Sequence, residues 1–301
     1  MVCRGLNGRH QAAFFFGEFV LKQRVITAVL LLALLLPALF AVNPLPFMGL
    51  TVVLIAAGAW EWGRLNGVGS FRAWLGALVC VLACALAQQL GWVFATPPFL
   101  WLLAGALWVL LGAWMIQRGV SGWALWPRAV RWMCGLLLLA LAWLALAQAH
   151  QKGANFLLSV LVLVWAADVF AYFFGRALGG RFFSFKLAPS ISPGKSWEGV
   201  LGGVLGVFLV ALVWTKFDQS GASAQPSFFT LILTKGWWVA VPALLFMAAM
   251  SVVGDLVESL VKRSAGMKDS SGLLPGHGGV LDRVDALLPT LPLAMMLVVW
   301  I

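Results

Sequence analysis

The chain contains nine continuous apolar runs, and each is long enough to cross a lipid bilayer as a helix, which takes about 20 mostly apolar residues. Inside lipid, only helices and closed β-barrels satisfy every backbone polar group. The runs are continuous rather than alternating in hydrophobicity, which favours helices. We therefore predict an all-α fold, a polytopic integral membrane bundle of about nine transmembrane helices. The runs lie near residues 24–42, 45–63, 71–91, 98–116, 129–148, 154–175, 197–215, 236–261 and 286–301.

The region ahead of the first run differs from the rest of the chain. We predict an N-terminal extension over residues 1–20 and a membrane-embedded domain over residues 21–301. Three Phe in succession and Glu18 leave three interpretations open for the extension: an amphipathic surface helix, a disordered segment, or an upstream choice of start codon. The first run is too long for the apolar core of a signal peptide, and a second span follows at once, so we expect it to be a transmembrane helix.

The basic residues predict the orientation of the bundle. With the N-terminus in the cytoplasm, 17 of the 20 Lys and Arg fall in cytoplasmic segments, and only Lys152, Lys216 and Lys235 fall on the other side. This asymmetry is the positive-inside signal. We therefore predict a bacterial-type inner (cytoplasmic) membrane, with the N-terminus and the active site cytoplasmic. The positive charge is spread over five segments, so we expect the lipid bilayer and not nucleic acid as a partner.

The acidic residues are concentrated where the last four spans reach the predicted cytoplasmic face. The chain is 62% hydrophobic and has only ten Asp and Glu. Ionisable residues within membrane helices are costly, and they therefore indicate function. Seven acids share this position: Asp168, Glu198, Asp255, Glu258, Asp269, Asp282 and Asp285.

Two of these acids allow both a structural and a functional interpretation. Asp168 precedes Arg176 by about two helical turns, so it either pairs with Arg176 or Arg181 or contacts a metal or nucleotide. Glu258 has Lys262 at i+4, which favours an ion pair on one helix. Asp255 has no such close sequence partner and is therefore the better metal-ligand candidate.

The sequence SPGKS at residues 192–196 precedes the seventh run. Ser196 is placed to cap that helix, with Glu198 in its first turn. A helix N-terminus beside Lys195 is also a suitable site for a phosphate group. The spacing of a P-loop is absent, so capping and phosphate binding both remain open.

The segment from Ser259 to Asp285 combines groups suited to metal and phosphate. Glycines at 276, 278 and 279 permit close backbone approach, and Asp282 and Asp285 are three residues apart at the start of the last run. Carboxylate oxygens suit Mg²⁺, which usually takes one or two of them plus substrate phosphates. The chain has three His and no zinc motif, so zinc is not expected. The combination predicts phosphoryl or nucleotidyl transfer assisted by paired metal ions.

This segment resembles the signature of the membrane phosphatidate cytidylyltransferases, or CDP-diacylglycerol synthases. The resemblance extends to Gly254-Asp255, to Asp168–Arg176, to Ser192–Gly199 and to Glu61, with Ser196 standing where threonine is common. The matching residues of the signature are Ser259, Lys262, Arg263, Lys268, Asp269, Ser271, Leu274, Pro275, His277, Gly278, Gly279, Asp282, Arg283 and Asp285.

The resemblance implies a membrane enzyme, commonly a homodimer, that makes CDP-diacylglycerol and pyrophosphate from CTP and phosphatidic acid with Mg²⁺. It implies that Asp255 and Asp282 hold a paired metal centre, with Asp285 as a further candidate. Asp168 and Asp285 would otherwise support the metal ligands or orient a cation. Stabilisation of charge on the phosphates is implied for Lys262, Arg263, Lys268 and Arg283. Substrate binding is implied for Ser192, Lys195, Ser196, Asp168, Asp269, His277, Gly278 and Gly279.

Two alternative functions share parts of this pattern. A CTP-dependent lipid or polyprenol kinase, or a related lipid cytidylyltransferase, would also place acids and basic loops in a membrane bundle. The complete signature argues against these enzymes. A divalent-cation transporter would need polar groups through the middle of several spans, whereas here they cluster at one face.

Overall fold

The computed structural model describes residues 6–221 and 223–300, with side chains from residue 22 onward. Within that part the chain is helical, and its only bridges of β type are two isolated pairs in loops. The helices are α1 (Leu6–Phe40), α2 (Leu45–Leu65), α3 (Ser70–Gln89), α4 (Pro98–Ala124), α5 (Arg128–Gln151), α6 (Ala154–Leu178), α7 (Trp197–Gln219), α8 (Phe228–Leu233), α9 (Trp237–Ser264), α10 (Leu281–Val284) and α11 (Leu287–Trp300).

The predicted all-α, polytopic architecture is confirmed. The described part of the chain contains nine helical stretches that are long and apolar enough to cross a membrane. The last stretch begins at Leu281, because α10 and α11 together form one span. It therefore begins earlier than the predicted run at 286, and Asp282 and Asp285 lie within its first turns. The fourth span also continues beyond residue 116, because Gly119, at φ 67°, kinks α4 instead of ending it.

The predicted division at residue 20 stays a prediction. Helix α1 already begins at Leu6 and continues without interruption into the first span. Residues 1–5 lie outside the described residues, as do the side chains up to residue 21. The interpretation of the extension as an amphipathic surface helix depends on those side chains.

Helix α9 and the last span form the centre of the bundle. Half of the most apolar stretch of each is buried within the protein, compared with 11% for the first span. Helix α9 packs against α4, α7 and α11, while α11 also packs against α4 and α5. Helix α6 lies along α7. The two central spans both carry acidic residues at the same end, where α9 finishes and α10 begins.

Several connections meet at this end, which we call the loop end: the segments 179–196 and 265–280 with the helix termini beside them. The Arg24 Nε donates to the Gly276 carbonyl oxygen at 2.9 Å, and the Thr27 hydroxyl donates to the Pro275 carbonyl oxygen at 3.0 Å. The beginning of the first span therefore lies at the same end as segment 265–280. This placement agrees with nine spans that alternate in direction.

Candidate active site

A cavity of about 410 Å³ lies between α6, α7 and α9 at the loop end. Four residues that the sequence singled out line it together: Asp168, Lys195, Ser196 and Asp255. They come from α6, from α9 and from segment 179–196, so only the tertiary fold brings them into one place. They add two carboxylates, one ammonium group and one hydroxyl to a wall that also contains Tyr172 and Arg176.

Lys195 and Asp255 form an ion pair across this cavity. The Lys195 Nζ lies 2.6 Å from the Asp255 Oδ2, and the side chains are 24% and 32% exposed. The Ser259 hydroxyl donates to the Asp255 Oδ1 at 3.2 Å. Asp255 therefore has a cationic partner after all, although that partner is remote in sequence. Both groups remain accessible from the cavity.

Asp168 lies in the same wall, on α6. Its carboxylate is close enough to Asp255 to be repelled by it and close enough to Lys195 to be attracted. The ion pair with Arg176 or Arg181 does not form in the described part of the chain, since the Arg176 Nη1 donates instead to the Tyr172 hydroxyl at 2.9 Å. The structural interpretation of Asp168 is therefore wrong, and its carboxylate faces the cavity.

Segment 179–196 is held in place by the beginning of α7. The Ser196 Oγ accepts a hydrogen bond from the Gly199 amide at 3.2 Å, so the predicted cap is confirmed, and Ser196 also lines the cavity. The Glu198 Oε1 accepts from the amides of Gly180, Phe182 and Phe183 at 3.0–3.1 Å. Glu198 is therefore a buried anchor for the segment that carries Lys195. Ser192 does not line the cavity, and its amide donates to the Ala188 carbonyl oxygen at 2.8 Å.

A second group of charged residues lies beside the cavity and is almost buried. Lys262 contacts both Glu258 and Asp282, with its Nζ 2.6 Å from the Asp282 Oδ1. The side chains of Lys262, Glu258 and Asp282 are 13%, 4% and 5% exposed. The predicted pair of Glu258 with Lys262 is confirmed. The second partner, Asp282, ties the end of α9 to the beginning of the last span.

Asp282 also holds segment 265–280 through its other oxygen. The Oδ2 accepts from the Gly279 amide at 2.7 Å and from the amide and hydroxyl of Ser270 at 2.9 and 2.8 Å. Gly278, at φ 82°, makes the turn above this carboxylate, and a Cβ there would lie 2.6 Å from the Asp282 Oδ2. The turn therefore requires glycine on both conformational and steric grounds.

Glu61, on α2, is the residue whose role the sequence reasoning missed. It is fully buried and accepts four hydrogen bonds from the far segment of the chain. The donors are the hydroxyls of Ser270 and Ser271 and the amides of Val280 and Leu281. An acid in an apolar helix was the available signal, since a carboxylate so deeply buried needs this many donors.

The remaining residues of the signature lie outside the cavity. Lys268 and Asp269 line a second cavity at the end of α2. The exposed Arg263 donates to the Met267 carbonyl oxygen at 3.5 Å. The Arg283 guanidinium donates twice to the His277 carbonyl oxygen, at 3.1 and 2.7 Å, and thereby closes the turn that contains Gly278.

Asp285 lies near the cavity that contains Asp255, where the last span packs against α9. Its Oδ1 accepts from the Ala286 amide at 2.7 Å, and its carboxyl group lies close enough to Asp255 and Asp168 to interact with them electrostatically. Gly254 allows this approach, because a Cβ at Gly254 would lie 2.5 Å from the Asp285 carbonyl oxygen. The last span therefore packs directly against the turn of α9 that carries Asp255.

The donor set fits Mg²⁺ in part. Among the described residues, no group of three or more His, Cys, Asp and Glu is arranged to hold a metal ion. Mg²⁺ needs only one or two carboxylates when substrate phosphates complete its coordination, and Asp168 and Asp255 offer two in the cavity wall. Asp282 differs, because protein donors occupy both of its oxygens. Its predicted metal role would require replacing these contacts, and it stays a prediction, as does that of Asp285.

Comparison with known proteins gives a consistent result over most of the chain. The model of the cytidylyltransferase family matches residues 22–301. A phosphatidate cytidylyltransferase of Pseudomonas aeruginosa is 39% identical over 280 residues, which cover 91% of this chain and 95% of that protein. One of Haemophilus influenzae is 34% identical over 293 residues, covering 91% and 96%. One of Brucella melitensis is 36% identical over 273 residues, covering 89% of each chain.

Proposed function

The chain belongs to the cytidylyltransferase family, and we propose that it transfers the cytidylyl group of CTP to phosphatidic acid, giving CDP-diacylglycerol and pyrophosphate. It is a nucleotidyltransferase in an integral membrane bundle. The observation that carries the proposal is the Lys195–Asp255 pair, which lies with Asp168 in a cavity of about 410 Å³. This wall offers a cation for phosphate oxygens and carboxylates for a divalent metal.

The proposed reaction is a single displacement at phosphorus. An oxygen of the phosphatidic acid phosphate attacks the α-phosphorus of CTP, and the bond from that phosphorus to the bridging oxygen breaks. The electron pair leaves with pyrophosphate, so no covalent enzyme intermediate is required. The attacking phosphate is already ionised near neutral pH, and no general base is needed. Positioning and charge stabilisation are therefore the main tasks of the protein.

The residues of the cavity divide these tasks. Lys195 supplies positive charge to phosphate oxygens, and releasing it from Asp255 when the substrate arrives would expose that carboxylate to a metal. The Ser196 hydroxyl and the N-terminus of α7 favour a bound anion. Glu198 keeps segment 179–196 in place behind them. The Lys262–Asp282 pair and Glu61 hold the other wall, segment 265–280.

We propose Mg²⁺ as the cofactor, held by Asp255 and Asp168, the two carboxylates in the cavity wall, whereas the resemblance implies a paired centre at Asp255 and Asp282. Bound there, Mg²⁺ would neutralise charge on the substrate phosphates. Asp282 and Asp285 would then support the metal ligands indirectly. Asp282 would do so by holding Lys262, and Asp285 through the packing of the last span against α9.

The distribution of basic residues indicates how the protein is oriented in the membrane. We propose that the loop end faces the cytoplasm, in an inner membrane of bacterial type, because the positive charge is concentrated there. CTP would then reach the cavity from water, and phosphatidic acid would reach it from the adjacent leaflet. The homodimer that the resemblance implies stays a prediction.

Isotopic labelling tests the proposed reaction. Purified protein in phosphatidylcholine vesicles containing phosphatidic acid receives CTP labelled at the α-phosphate or at the γ-phosphate, with Mg²⁺ or with EDTA. The α-label should enter the lipid only with Mg²⁺, and the γ-label should leave as pyrophosphate. Entry of the γ-label into lipid would instead indicate a kinase. Mg²⁺ flux without labelled lipid would indicate the transporter.

A further inference from the structure

A second cavity, of about 570 Å³, opens at the loop end between the last turns of α2 and segment 265–280. We call it the α2 cavity. Its wall includes Trp60, Arg64, Lys268 and Leu273. No residue lines both this cavity and the one that contains Lys195 and Asp255.

The polar groups in the α2 cavity are mainly hydrogen-bond donors. The Arg64 guanidinium lies 4.8 Å from the centre of the Trp60 ring, a cation–π contact that holds its planar face. Arg64 and Lys268 form no ion pair within the described part of the chain. The wall contains one acid, Asp269, so its net charge remains positive.

Trp60 contributes its ring to this wall, and not its N–H. Its indole N–H is buried and has no acceptor among the described residues. Because this N–H is buried, a molecule in the cavity does not reach it. The hydroxyls of Ser270 and Ser271 are already directed at Glu61 and Asp282. The available donors are thus a guanidinium and an ammonium, and a phosphate group accepts from both.

The rim of the α2 cavity is apolar. Met267 is 40% exposed and Leu273 is 47% exposed, both on segment 265–280. Tryptophan is enriched where membrane helices meet the headgroup layer, and Trp60 lies in the penultimate turn of α2. A basic cavity with an apolar rim at this depth suits a phosphate attached to a larger body.

We propose that the α2 cavity is a second anion-binding site, which holds a phosphate group through Arg64 and Lys268. The phosphate belongs to a lipid headgroup or to a nucleotide, and the chemistry of the wall is the same for both. The site is separate from the reaction proposed above and binds without turnover. Its occupant contacts the segment in which Ser270 donates to Asp282.

A thiol at the rim reports occupancy of this cavity alone. The full chain carries Leu273→Cys, with Cys3 and Cys134 replaced by serine, and is placed in phosphatidylcholine nanodiscs with EDTA. The rate of maleimide labelling is measured with phosphatidic acid in the disc, with CTP, or with inorganic phosphate. A matched reporter, Leu125→Cys, places a thiol at the same end of the bundle, where Leu125 is 83% exposed.

Phosphatidic acid, CTP or both should slow labelling at the rim at least about fivefold, while the Leu125→Cys reporter keeps its rate. Protection by lipid alone identifies a headgroup, and protection by CTP alone identifies a nucleotide. Adding Arg64→Gln should raise the half-protecting concentration about tenfold, as expected for a lost charged hydrogen bond. Arg72→Gln, which removes an exposed charge outside the cavity, should leave it unchanged. Absence of protection by every probe, or protection insensitive to Arg64→Gln, would overturn the proposal.

Discussion

The ammonium group of Lys195 lies 2.6 Å from the carboxylate of Asp255 and so joins segment 179–196 to α9. Each residue is the only ion-pair partner of the other in the described part of the chain. Both are accessible from the cavity, so an incoming phosphate and its metal can exchange with this contact. The two charges of the pair therefore neutralise each other before substrate binds, and both become available when it does.

Replacing Lys195 should disable the proposed site. Lys195→Ala removes the cation that we assign to the phosphates, and losses of one such stabilising group typically reduce turnover about 100- to 1,000-fold. We expect a reduction of this order in kcat/KM, measured with labelled CTP. Arg181→Ala removes an exposed cation from the same segment without touching the cavity and should retain near-normal activity. Equal losses in the two variants would refute the special role of Lys195.

Asp255→Asn should change the dependence on metal. The substitution keeps the shape of the side chain but removes the charge that attracts a divalent ion. We expect turnover to fall and the Mg²⁺ concentration for half-maximal rate to rise at least about tenfold. The measurement is a Mg²⁺ titration of labelled product at saturating CTP. If the variant lost rate but kept the wild-type titration curve, Asp255 would act only as the partner of Lys195.

Lys262 should matter chiefly for stability. In Lys262→Met the carboxylates of Glu258 and Asp282, which are 4% and 5% exposed, lose their shared cation. Breaking a buried pair costs about 3–5 kcal/mol, which should appear in the free energy of unfolding in a denaturing detergent titration. The double variant Glu258→Gln/Lys262→Met removes one stranded charge and should recover part of the loss. A double variant no more stable than the single one would exclude this explanation.

Glu61→Gln should loosen segment 265–280. Its amide nitrogen would replace one carboxylate oxygen and face the donors that the oxygen now accepts, including one of the Val280 and Leu281 amides. A buried donor left unsatisfied costs about 1–3 kcal/mol, so hydrogen exchange in peptides spanning residues 270–281 should quicken about tenfold. Peptides from segment 179–196 serve as the internal control. Unchanged exchange at residues 270–281 would show that Glu61 does not hold this segment.

The spans were predictable because length and continuity of apolar residues decide whether a segment can cross a bilayer. The grouping of acids at one end was also predictable, because the acids lie in the sequence where the last four spans reach the same side of the membrane. The pairing of those acids was not, because Lys195 and Asp255 meet only through the packing of α6 and α7 against α9. Nothing in the spacing along the chain distinguishes Lys195 from Arg176 or Arg181 as the ion-pair partner of Asp255.

The signature also grouped residues that the fold separates. Lys262 and Lys268 are close in sequence, but α9 ends at Ser264 and the chain turns at Gly266, which has φ 70°. Lys262 therefore points at the buried carboxylates, while Lys268 lines the α2 cavity. The role of Glu61 depends on donors more than 200 positions away in the chain, and only the tertiary structure identifies them.

Replacing Gly254 by alanine should show whether the site requires the close contact between the last span and α9. A Cβ at Gly254 would lie 2.5 Å from the Asp285 carbonyl oxygen and 2.8 Å from the Pro289 ring, so Gly254→Ala forces the two spans apart. Overpacking of this kind costs about 1–3 kcal/mol, and it displaces the neighbouring Asp255. We expect a lower free energy of unfolding, together with a loss of labelled product larger than the loss of folded protein. Gly49→Ala is the matched control, since nothing lies within 4 Å of its added Cβ and alanine favours the helix. Wild-type stability and activity in Gly254→Ala would mean that this close contact is not required for the site.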